Sequence, residues 1–482
     1  MCVNGAGTVV WYTDRGGRAV HRMVGTPATG YTEDSGFALN LEDGSAAAGF
    51  RAIALSLDET RLFICDNRDQ CILVVDSTTG SIQRQFGTSL LGYDLDLDEE
   101  GNVYVSSYGT PGRVDKFRYV APAGEILDNS DPGCTVQGTW STDATQSYGP
   151  NRYTKAAGSG TATVTWTASV TPGWYLVRFW MTSNTTFATN ARYSITHRDG
   201  ISVVVKNQQQ TTSNWVHLGG AYYFDGTATV TLNDQFTGGS SVVADAIQLT
   251  PVVTMIQMSD SHVGYPTGTA NTTAVVNELK TLGRVQLGTF GFEAPPPSFA
   301  IHSGDFTEYG QEYWDTLMSI FTGMPLPTYF VQGNHDSTWS SCKERIRSLH
   351  GNTPYSFDHY LDGQRLHFAC MNSPVLQSPR AGFSREELDW LAADLAALEP
   401  NTLIFISIHH PINGASDPKP FDTYHLLETL RPYRLAIIFY GHGHSFVAPT
   451  FDRAQLLQGG STYNNSTDLG SYAVIAITKD RI

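Results

Sequence analysis

Asp260-Ser261-His262 begins a series of five short motifs that decides the fold of this chain. The series continues with Gly304-Asp305, Gly333-Asn334-His335-Asp336, His409-His410-Pro411 and Gly441-His442-Gly443-His444. Each motif follows a run of apolar, β-favouring residues, and such runs predict buried strands. The loops that follow strands are where α/β sheets gather their ligand-binding side chains. The pattern therefore predicts several strands that end at one common site.

The residue types in these motifs indicate metal binding. Asp, His and Asn offer oxygen and imidazole donors, which suit Zn, Mn, Fe, Ni or Co rather than a thiolate site. Asp260 and His262 are two residues apart, so an extended strand end would direct both side chains to one face, and His442 and His444 repeat this spacing. The donors suffice for two ions if one carboxylate bridges them. Two ions about 3.5–4 Å apart can activate water for an in-line displacement at phosphorus.

The order of the motifs resembles the calcineurin-like metallophosphoesterase family over residues 252–482. This resemblance implies that one metal is held by Asp260, His262, Asp305 and His444. It implies that the second metal is held by Asp305, Asn334, His409 and His442, with Asp305 as the bridge. It also implies that His335 faces the substrate without binding metal, and that Asp336 orients its ring.

A structural role for these histidines is the alternative, because a lone histidine is more often a satisfied core or surface residue. It does not account for the set: 11 of the 14 histidines lie from residue 262 onward, and five of them fall in the motifs as proposed ligands or catalyst. Three neighbouring residues stay open. His410 is expected to support a ligand or lie on the surface, and His302 to pack or support a ligand. Glu308 is either a substrate-side carboxylate or, as we favour, an acid at a helix N-terminus.

The composition indicates several β-rich modules and excludes some classes of function. A length of 482 residues predicts roughly three domains. Charged residues make up only 16%, which is typical of secreted β-rich modules. The net charge of −16, without any basic cluster, argues against a nucleic-acid groove. No apolar run reaches the length of a membrane span.

Localisation and cysteine chemistry are less constrained by the sequence. Met1-Cys2-Val3-Asn4-Gly5 lacks the layout of a signal peptide, so a leader is either missing here or absent altogether. We expect a secreted or cell-surface protein from the composition. None of the six cysteines forms a C-x-x-C pair, which indicates neither a zinc site nor a disulfide framework. Cys65 and Cys71 could bridge neighbouring strands or remain buried thiols.

Residues 1–125 carry a weak repeat of short strands. Its best copy runs through Ile53–Asp58, Arg61–Asp66, Cys71–Asp76 and Gln85–Gly87, and similar segments occur at Trp11–Asp14 and Val105–Tyr108. Four strands in about 40–50 residues are typical of a β-propeller blade, and the repeat resembles NHL-type and lactonase-like propellers. Only two blades and part of a third are present. An open arc by itself would expose the apolar residues Ile53, Leu55, Ile72 and Val74. We therefore favour a truncated propeller that packs on the sandwich or on the phosphoesterase domain, with self-association as the next option and the tail of a longer protein as a further alternative.

Residues 126–250 predict an antiparallel β-sandwich. Its segments Thr161–Ala168, Trp174–Thr182 and Thr227–Asn233 are rich in β-branched and aromatic residues. With Gly138-Thr139-Trp140, Gly173 to Val177, Trp215 to Gly219 and Val243 to Ile247, the module resembles the golvesin C-terminal-like domain. The resemblance implies a non-catalytic sandwich attached to an enzyme. Tyr222, Tyr223 and Phe224 form either a sugar platform or, as we favour, core and edge packing.

Residues 251–482 alternate strands with amphipathic helices, which predicts an α/β layer architecture. One helix is predicted over Thr273 to Gly283, and another begins at the capping box Ser384 to Glu387. The resemblance implies two mixed sheets flanked by helices. The predicted fold class is therefore a multidomain chain, in which a four-layer α/β/β/α metallophosphoesterase sandwich follows all-β modules, a partial β-propeller and a β-sandwich.

The expected function is hydrolysis of a small-molecule phosphate ester, with a diester favoured over a monoester. Glu308 stands where purple acid phosphatases place a tyrosine, and the run Gly304 to Gly310 resembles class III cyclic-nucleotide phosphodiesterases. A metal-bridging hydroxide is expected to attack phosphorus while His335 protonates the leaving oxygen. The alternatives are a promiscuous phosphotriesterase or phosphonate hydrolase, or a surface-binding or adhesive protein with a passenger hydrolase domain. Self-association through the N-terminal β modules is a further expectation.

Overall fold

The computed structural model describes most of the chain, with gaps in several loops. The described residues are 1–13, 18–37, 39–40, 49–56, 59–67, 71–86, 92–97, 102–107, 113–118, 125–182, 184–209, 213–288, 291–374, 380–399, 402–414, 420–451, 454–463 and 470–478. Five residues of the proposed repeat lie outside them, namely Asp14, Leu57, Asp58, Gly87 and Tyr108. The chain forms two compact units, Met1–Pro122 with Asp143–Arg152, and Ala123–Thr142 with Tyr153–Ile482. Within the described ranges, every helix is too short or too polar to span a bilayer.

The N-terminal unit consists of antiparallel sheets formed by consecutive strands. These strands are β1 Cys2–Val3, β2 Val9–Thr13, β3 Ala19–Thr26, β4 Gly30–Glu33, β5 Leu39–Asn40, β6 Phe50–Leu55, β7 Arg61–Asp66, β8 Cys71–Asp76, β9 Ile82–Phe86, β10 Gly92–Leu97, β11 Asn102–Ser107 and β12 Arg113–Arg118. Strands β1 to β5 form the first sheet, β6 to β9 the second and β10 to β12 the third. The second sheet coincides with the best copy of the sequence repeat. Its membership of a propeller stays a prediction.

The sheets of the N-terminal unit bury each other's apolar faces. Ile53 packs in a cluster with Trp11 and Val20 of the first sheet. Ile72 and Val74 pack with residues of the third sheet, and both are fully buried. Ile53, Ile72 and Val74 are therefore buried within the unit itself, because a neighbouring sheet lies on each face, and the packing of the arc on another domain stays a prediction.

The thiols of this unit lie on opposite faces of the second sheet. Cys65 belongs to the cluster shared with the third sheet, and Cys71 to the cluster shared with the first. Residues 65 and 71 belong to successive pairs of the β7–β8 ladder, and the side chains of successive pairs point to opposite faces of a sheet. None of the six cysteines, all of which lie in the described ranges, forms a disulfide bond.

The sandwich contains two main sheets. Its strands are β13 Glu125–Leu127, β14 Cys134–Gln137, β15 Ser141–Asp143, β16 Arg152–Lys155, β17 Thr163–Ser169, β18 Gly173–Met181, β19 Ala191–His197, β20 Gly200–Lys206, β21 Asn214–Phe224, β22 Thr227–Asn233, β23 Val242–Ala244 and β24 Ile247–Met258. One sheet has the order β14-β17-β22-β19-β20, and β21-β18-β24 faces it. Trp166, Tyr193 and Phe224 fill the space between them. Tyr222 and Phe224 are buried in this core, so the favoured packing role holds and a three-residue sugar platform does not form.

Strand β24 joins the sandwich to the α/β layers without a break. Its first residues pair with β18, from Ile247 opposite Phe179 to Pro251 opposite Tyr175. Its last residues, Met255–Met258, pair in parallel with the next strand of the α/β region. The domain boundary expected at residue 250 therefore lies inside one strand of twelve buried residues. Because both ends of this strand are core positions, the sandwich and the α/β region form one compact unit.

The α/β region has four layers, as predicted. Its strands are β25 Val285–Leu287, β26 Phe292–Ala294, β27 Phe299–His302, β28 Thr328–Phe330, β29 Tyr355–Leu361, β30 Gln364–Cys370, β31 Leu403–Ser407, β32 Arg434–Tyr440, β33 Thr450–Phe451, β34 Ala454–Gln458 and β35 Ala473–Thr478. Its helices are α1 Pro266–Leu279, α2 Trp314–Phe321, α3 Cys342–His350, α4 Arg385–Ala396 and α5 Thr423–Leu430. One sheet contains β35-β24-β27-β28, and the other has the order β29-β30-β31-β32-β34-β33.

Apolar clusters hold these layers together. Met255, Phe368 and Phe405 belong to the cluster between the two sheets. Helices α1, α2 and α3 cover the outer face of the first sheet, while α4 and α5 cover the second. Helix α4 begins at the predicted capping box, in which Ser384 and Glu387 exchange hydrogen bonds. Helix α1 begins seven residues before the predicted Thr273, because its first turns are small and polar and carry no apolar periodicity.

A buried histidine makes the stability of this region depend on pH. His367 is 2% exposed, and its ring nitrogens lie 2.8 Å from Asp358 and 2.7 Å from Asp394 on α4. Burial by itself lowers the pKa of His367, but the bonds to Asp394 and Asp358 outweigh it, and the net pKa is raised above 6.5. A raised folded-state pKa means that this stabilisation is complete below the unfolded pKa and is lost as pH rises through the folded one. We expect urea unfolding of His367→Gln to show about 1.5–3 kcal/mol less stability at pH 6.

The difference between wild type and His367→Gln should shrink as the pH rises above neutrality. His425 is exposed, so His425→Gln is the matched control and should leave the free energy of unfolding unchanged at every pH. Parallel pH profiles for the wild type and His367→Gln would contradict this role.

Candidate metal centre

The five motifs meet at the carboxyl ends of parallel strands. Asp260 and His262 follow β24, Asp305 follows β27, and the Gly333-to-Asp336 motif follows β28, all in one sheet. His409 follows β31, and the pair His442 and His444 follows β32 of the second sheet. The structure therefore brings the sequence-predicted residues of both sheets to a single location between their strand ends.

Five of the predicted ligands adopt left-handed backbone conformations. The φ angles are 52° at Asp260, 42° at His262, 53° at Asp305, 69° at His442 and 51° at His444. This differs from the extended strand ends expected from the two-residue spacing. Non-glycine residues rarely adopt positive φ, and such conformations persist at sites where the surrounding structure holds them. Backbone hydrogen bonds hold them here, for example from His262 N to the Asp305 carbonyl at 3.0 Å.

One group of donors surrounds Asp260. His444 Nε2 lies 3.4 Å from Asp260 Oδ1 and 3.2 Å from His262 Nε2. His262 Nε2 also lies 3.9 Å from Asp305 Oδ2. Donor atoms of Asp260, His262 and His444 all fall within 4.8 Å of one another, which is close enough to hold one cation.

A second group surrounds Asn334. Its Oδ1 lies 2.9 Å from His409 Nε2 and 3.0 Å from His442 Nδ1. Asp305 Oδ2 lies 3.2 Å from the same His409 nitrogen. Asp305 thus contacts both groups through one oxygen, which is the position that a bridging carboxylate occupies.

The hydrogen bonds behind the ligands fit a metal. His409 Nδ1 lies 2.8 Å from the Ser303 carbonyl, which only accepts, so Nδ1 carries the proton. In the neutral ring, Nε2 then directs a lone pair at the Asn334 and Asp305 oxygens, and three acceptors face one another. Burial lowers the pKa of His409, yet Asp305 and Asp260 raise it to about 9, so this cluster favours a positive charge. A carbonyl behind a ligating histidine is the usual support in metal sites.

Two glycines are required beside these donors. A Cβ added to Gly304, at φ 94°, would lie 2.5 Å from His409 Nδ1. A Cβ added to Gly333 would lie 2.1 Å from the Asp305 backbone nitrogen. Both contacts are shorter than any side chain tolerates, so the motif glycines permit the loops to approach the ligands.

Asp336 does not orient the ring of His335, contrary to the expectation. Its buried carboxylate accepts hydrogen bonds from the backbone nitrogens of Thr307 at 2.9 Å and Gly333 at 2.8 Å. Asp336 therefore ties the Asp305 loop to its own loop. Burial and the neighbouring Asp305 raise the pKa of Asp336 to about 7. His335 lies beside the ligands, with Nε2 3.8 Å from Asp305 Oδ2.

Glu308 contacts the imidazoles, and the helix-terminal role that we favoured is wrong. Its Oε2 lies 2.6 Å from His262 Nδ1 and 3.2 Å from His335 Nδ1. Burial alone raises the pKa of Glu308, but the bond with His262 and the charge of His335 outweigh it, and the pKa is lowered. Glu308 precedes the short 3-10 turn Gln311–Tyr313 and belongs to no helix. The carboxylate therefore supports His262 from behind and stands next to His335.

We expect Glu308→Ala to lower metal affinity or activity by about 10–100-fold, because partners of ligating histidines fix ring orientation and tautomer. Metal affinity is measured by competition with a chelator, and turnover is measured in parallel. Glu312→Ala removes an exposed carboxylate four residues away and is the control. Equal behaviour of the two variants would contradict the supporting role.

His302 and His410, the two histidines whose roles the sequence left open, support the site from inside the core. His302 is fully buried, and its Nε2 lies 2.7 Å from Ser261 Oγ, which agrees with the expected packing or supporting role. His410 is also buried, with Nδ1 3.0 Å from Ser373 Oγ and its ring 4.7 Å from that of His442. The surface alternative for His410 is therefore wrong.

Two tyrosines at the site are not among the site residues predicted from the sequence. The ring of Tyr309 stacks on His335 with centroids 3.7 Å apart. The ring of Tyr463 lies 5.0 Å from His262 and 5.7 Å from His444. The only sequence signal for Tyr309 is its place after Glu308, and Tyr463 is far from every motif, so sequence reasoning identifies neither.

Two family models match the chain over most of its second unit. Residues 125–251 match the Golvesin C-terminal domain, and residues 253–446 match the calcineurin-like phosphoesterase. Among curated proteins, none matches the chain.

Solved structures resemble parts of the chain. A Paenibacillus xanthan lyase is 21% identical with a TM-score of 0.25, covering 47% of this chain and 28% of its own. A putative 5'-nucleotidase from Staphylococcus aureus is 14% identical with a TM-score of 0.32, covering 47% and 50%. A family 35 carbohydrate binding module from Clostridium thermocellum is 13% identical with a TM-score of 0.22, covering 26% and 97%. The chain thus spans half or less of the first two, and TM-scores this low carry no functional argument.

Proposed function

The chain carries a calcineurin-like phosphoesterase domain behind a Golvesin C-terminal domain, and we propose that it is a metal-dependent phosphoric ester hydrolase that favours phosphodiesters. The observation that carries the proposal is the pair of donor groups that share Asp305. In the proposal, the two transition-metal ions (Zn, Mn, Fe, Ni or Co) are held by Asp260, His262, Asp305, Asn334, His409, His442 and His444. Such a pair of ions supplies an activated water and neutralises charge on the oxygens bound to phosphorus.

His335 is the proposed catalytic residue among the groups that bind no metal. Its Nε2 lies 3.8 Å from Asp305 Oδ2, and this closeness to the proposed bridging carboxylate supports a role in proton donation to the bound ester. Burial lowers the pKa of His335, although Asp305 pulls in the opposite direction. The adjacent carboxylate of Glu308 stabilises the positive charge that His335 carries when it is protonated. His335 then donates a proton to the leaving oxygen, which lowers the barrier most for poor leaving groups.

Charge near His335 supports a diester rather than a monoester. Glu308 lies 3.2 Å from His335 Nδ1 and is not among the proposed metal ligands, so the ions do not balance its charge directly. A monoester carries up to two negative charges and a diester only one, so this carboxylate repels the monoester more strongly.

Turnover of chromogenic monoesters, diesters and triesters, combined with elemental analysis, tests the proposal. We expect about two transition-metal ions per chain and the highest kcat/KM for the diester. Highest activity on triesters or phosphonate esters would support the promiscuous alternative. Full activity after removal of the metals would end the proposal.

The role of the modules outside the catalytic region is part of the proposal. The Golvesin C-terminal domain and the composition support a secreted or surface-associated protein. An adhesive protein with a passenger hydrolase domain is the competing class. It predicts surface binding that is unchanged when metal is removed and no turnover of any phosphoester.

Self-association through the N-terminal β modules is a separate prediction. Exposed strand edges favour pairing with another chain. Sedimentation velocity over a wide range of protein concentrations measures it, and we expect the sedimentation coefficient to rise with concentration. A monomer at every concentration would contradict self-association without affecting the proposed chemistry.

A further inference from the structure

The ring of Tyr309 lies against His335 and is exposed to solvent on its other face. One face of the ring stacks on His335, with centroids 3.7 Å apart and planes at 29°. The side chain is nevertheless 57% exposed. A large aromatic residue that covers a proposed proton donor and still faces solvent offers its second face to whatever occupies the site.

The backbone of Tyr309 indicates that this placement is imposed. Its φ is 50°, in the left-handed region that a bulky residue seldom adopts. The backbone N–H of the neighbouring Glu308 donates a hydrogen bond of 2.9 Å to the Val263 carbonyl, and this bond anchors the turn to the loop of His262. The strained turn thus holds the ring over His335 rather than over the apolar core.

Aromatic rings border both ends of the imidazole row. His335 and His262 lie 4.4 Å apart, and Tyr309 covers the outer end at His335. At the other end Tyr463 contacts His262, and the 47% exposed Tyr265 meets Tyr463 edge-on at 5.3 Å. Planar apolar surface therefore adjoins the proposed metal ligands, while the charge beside His335 is the carboxylate of Glu308.

We propose that Tyr309 is a specificity-determining residue that stacks against a planar aromatic ester group of the substrate. This inference rests on the proposed function and names its substrate class: singly charged phosphodiesters with at least one aryl or nucleobase-like substituent. A neutral ring gains from offset stacking on tyrosine, and it avoids the repulsion that Glu308 exerts on a second anionic group. An alkyl group of equal size fills the space without the stacking geometry.

Equilibrium binding of two phosphinates to the protein with its native metal content tests the inference. Methyl(phenyl)phosphinate and methyl(cyclohexyl)phosphinate are single anions without an ester bond, and they differ in the planarity of the ring. Calorimetry should show that the phenyl compound binds roughly 3- to 10-fold more tightly to the wild type. Tyr309→Leu should reduce this ratio to about one, while Tyr309→Phe should retain it.

Tyr360→Leu is the matched control, because Tyr360 is 62% exposed on strand β29 and belongs to no donor group. It should keep the wild-type ratio. Equal affinities in the wild type, or an unchanged ratio in Tyr309→Leu, would overturn the inference. A wild type that cleaves a diester but shows no preference for the phenyl compound refutes the aromatic subsite alone. Absence of metal-dependent cleavage refutes the proposed function instead.

Discussion

Asp305→Asn is expected to lose both metal ions and about 10³-fold in turnover. Asp305 Oδ2 lies within 4 Å of His262 and His409, one from each donor group, so neutralising it weakens both. Metal ions supply several kcal/mol of charge stabilisation in the transition state, and each 1.36 kcal/mol is a factor of ten. The amide keeps the shape of the side chain, and its oxygen still accepts the His335 backbone hydrogen bond of 2.8 Å. Elemental analysis and steady-state kinetics measure the two effects.

Asp389→Asn is the control for this substitution. Its carboxylate is 68% exposed on helix α4, in an ion pair with Arg385. We expect wild-type metal content and turnover from it. If Asp305→Asn kept two ions per chain, Asp305 would not bridge, and the two donor groups would have to be assigned to separate, unshared carboxylates.

His335→Ala is expected to keep both ions and to lose about 10²–10⁴-fold in kcat for substrates with poor leaving groups. The ring is not part of either donor group, so the metal content should not change. Substrates with good leaving groups need no proton at the leaving oxygen, and their loss should be much smaller. A series of diesters with leaving groups of increasing pKa measures this as a steeper dependence of log kcat on leaving-group pKa.

His350→Ala is a suitable companion to His335→Ala. His350 is half-buried on helix α3 and stacks on Tyr355 with centroids 4.5 Å apart, away from the ligands. It should leave the leaving-group dependence unchanged. Loss of a metal ion from His335→Ala would show that the ring is a ligand, and an equal loss for all leaving groups would argue against proton donation.

The sequence by itself determined the layer architecture and which motif residues meet at the candidate metal centre. The five motifs are local strings that each follow a buried strand, and parallel strands must bring their carboxyl ends to one edge. The amphipathic pattern of α4, with its capping residue Ser384, is equally local. Properties that depend on residues close together along the chain can therefore be inferred from the amino-acid sequence alone.

Only the tertiary structure decided which residues surround the ligands. Glu308 reaches His262 across 46 residues of sequence, and its role depends on the turn that precedes it. The left-handed conformations at Asp260 and His262 replaced the extended geometry suggested by their spacing, because backbone bonds to the Asp305 loop fix them. Tyr309 became part of the site through the same loop.

The same limit applies to the β modules. Ile72 and Val74 looked exposed because a blade seen alone has bare faces, yet the third sheet covers them. The boundary expected near residue 250 falls inside β24, both halves of which are buried and pair with strands from different parts of the chain. The burial of a segment depends on the elements that pack against it. The sequence therefore shows which residues prefer the interior, and only the fold decides which neighbouring elements cover them.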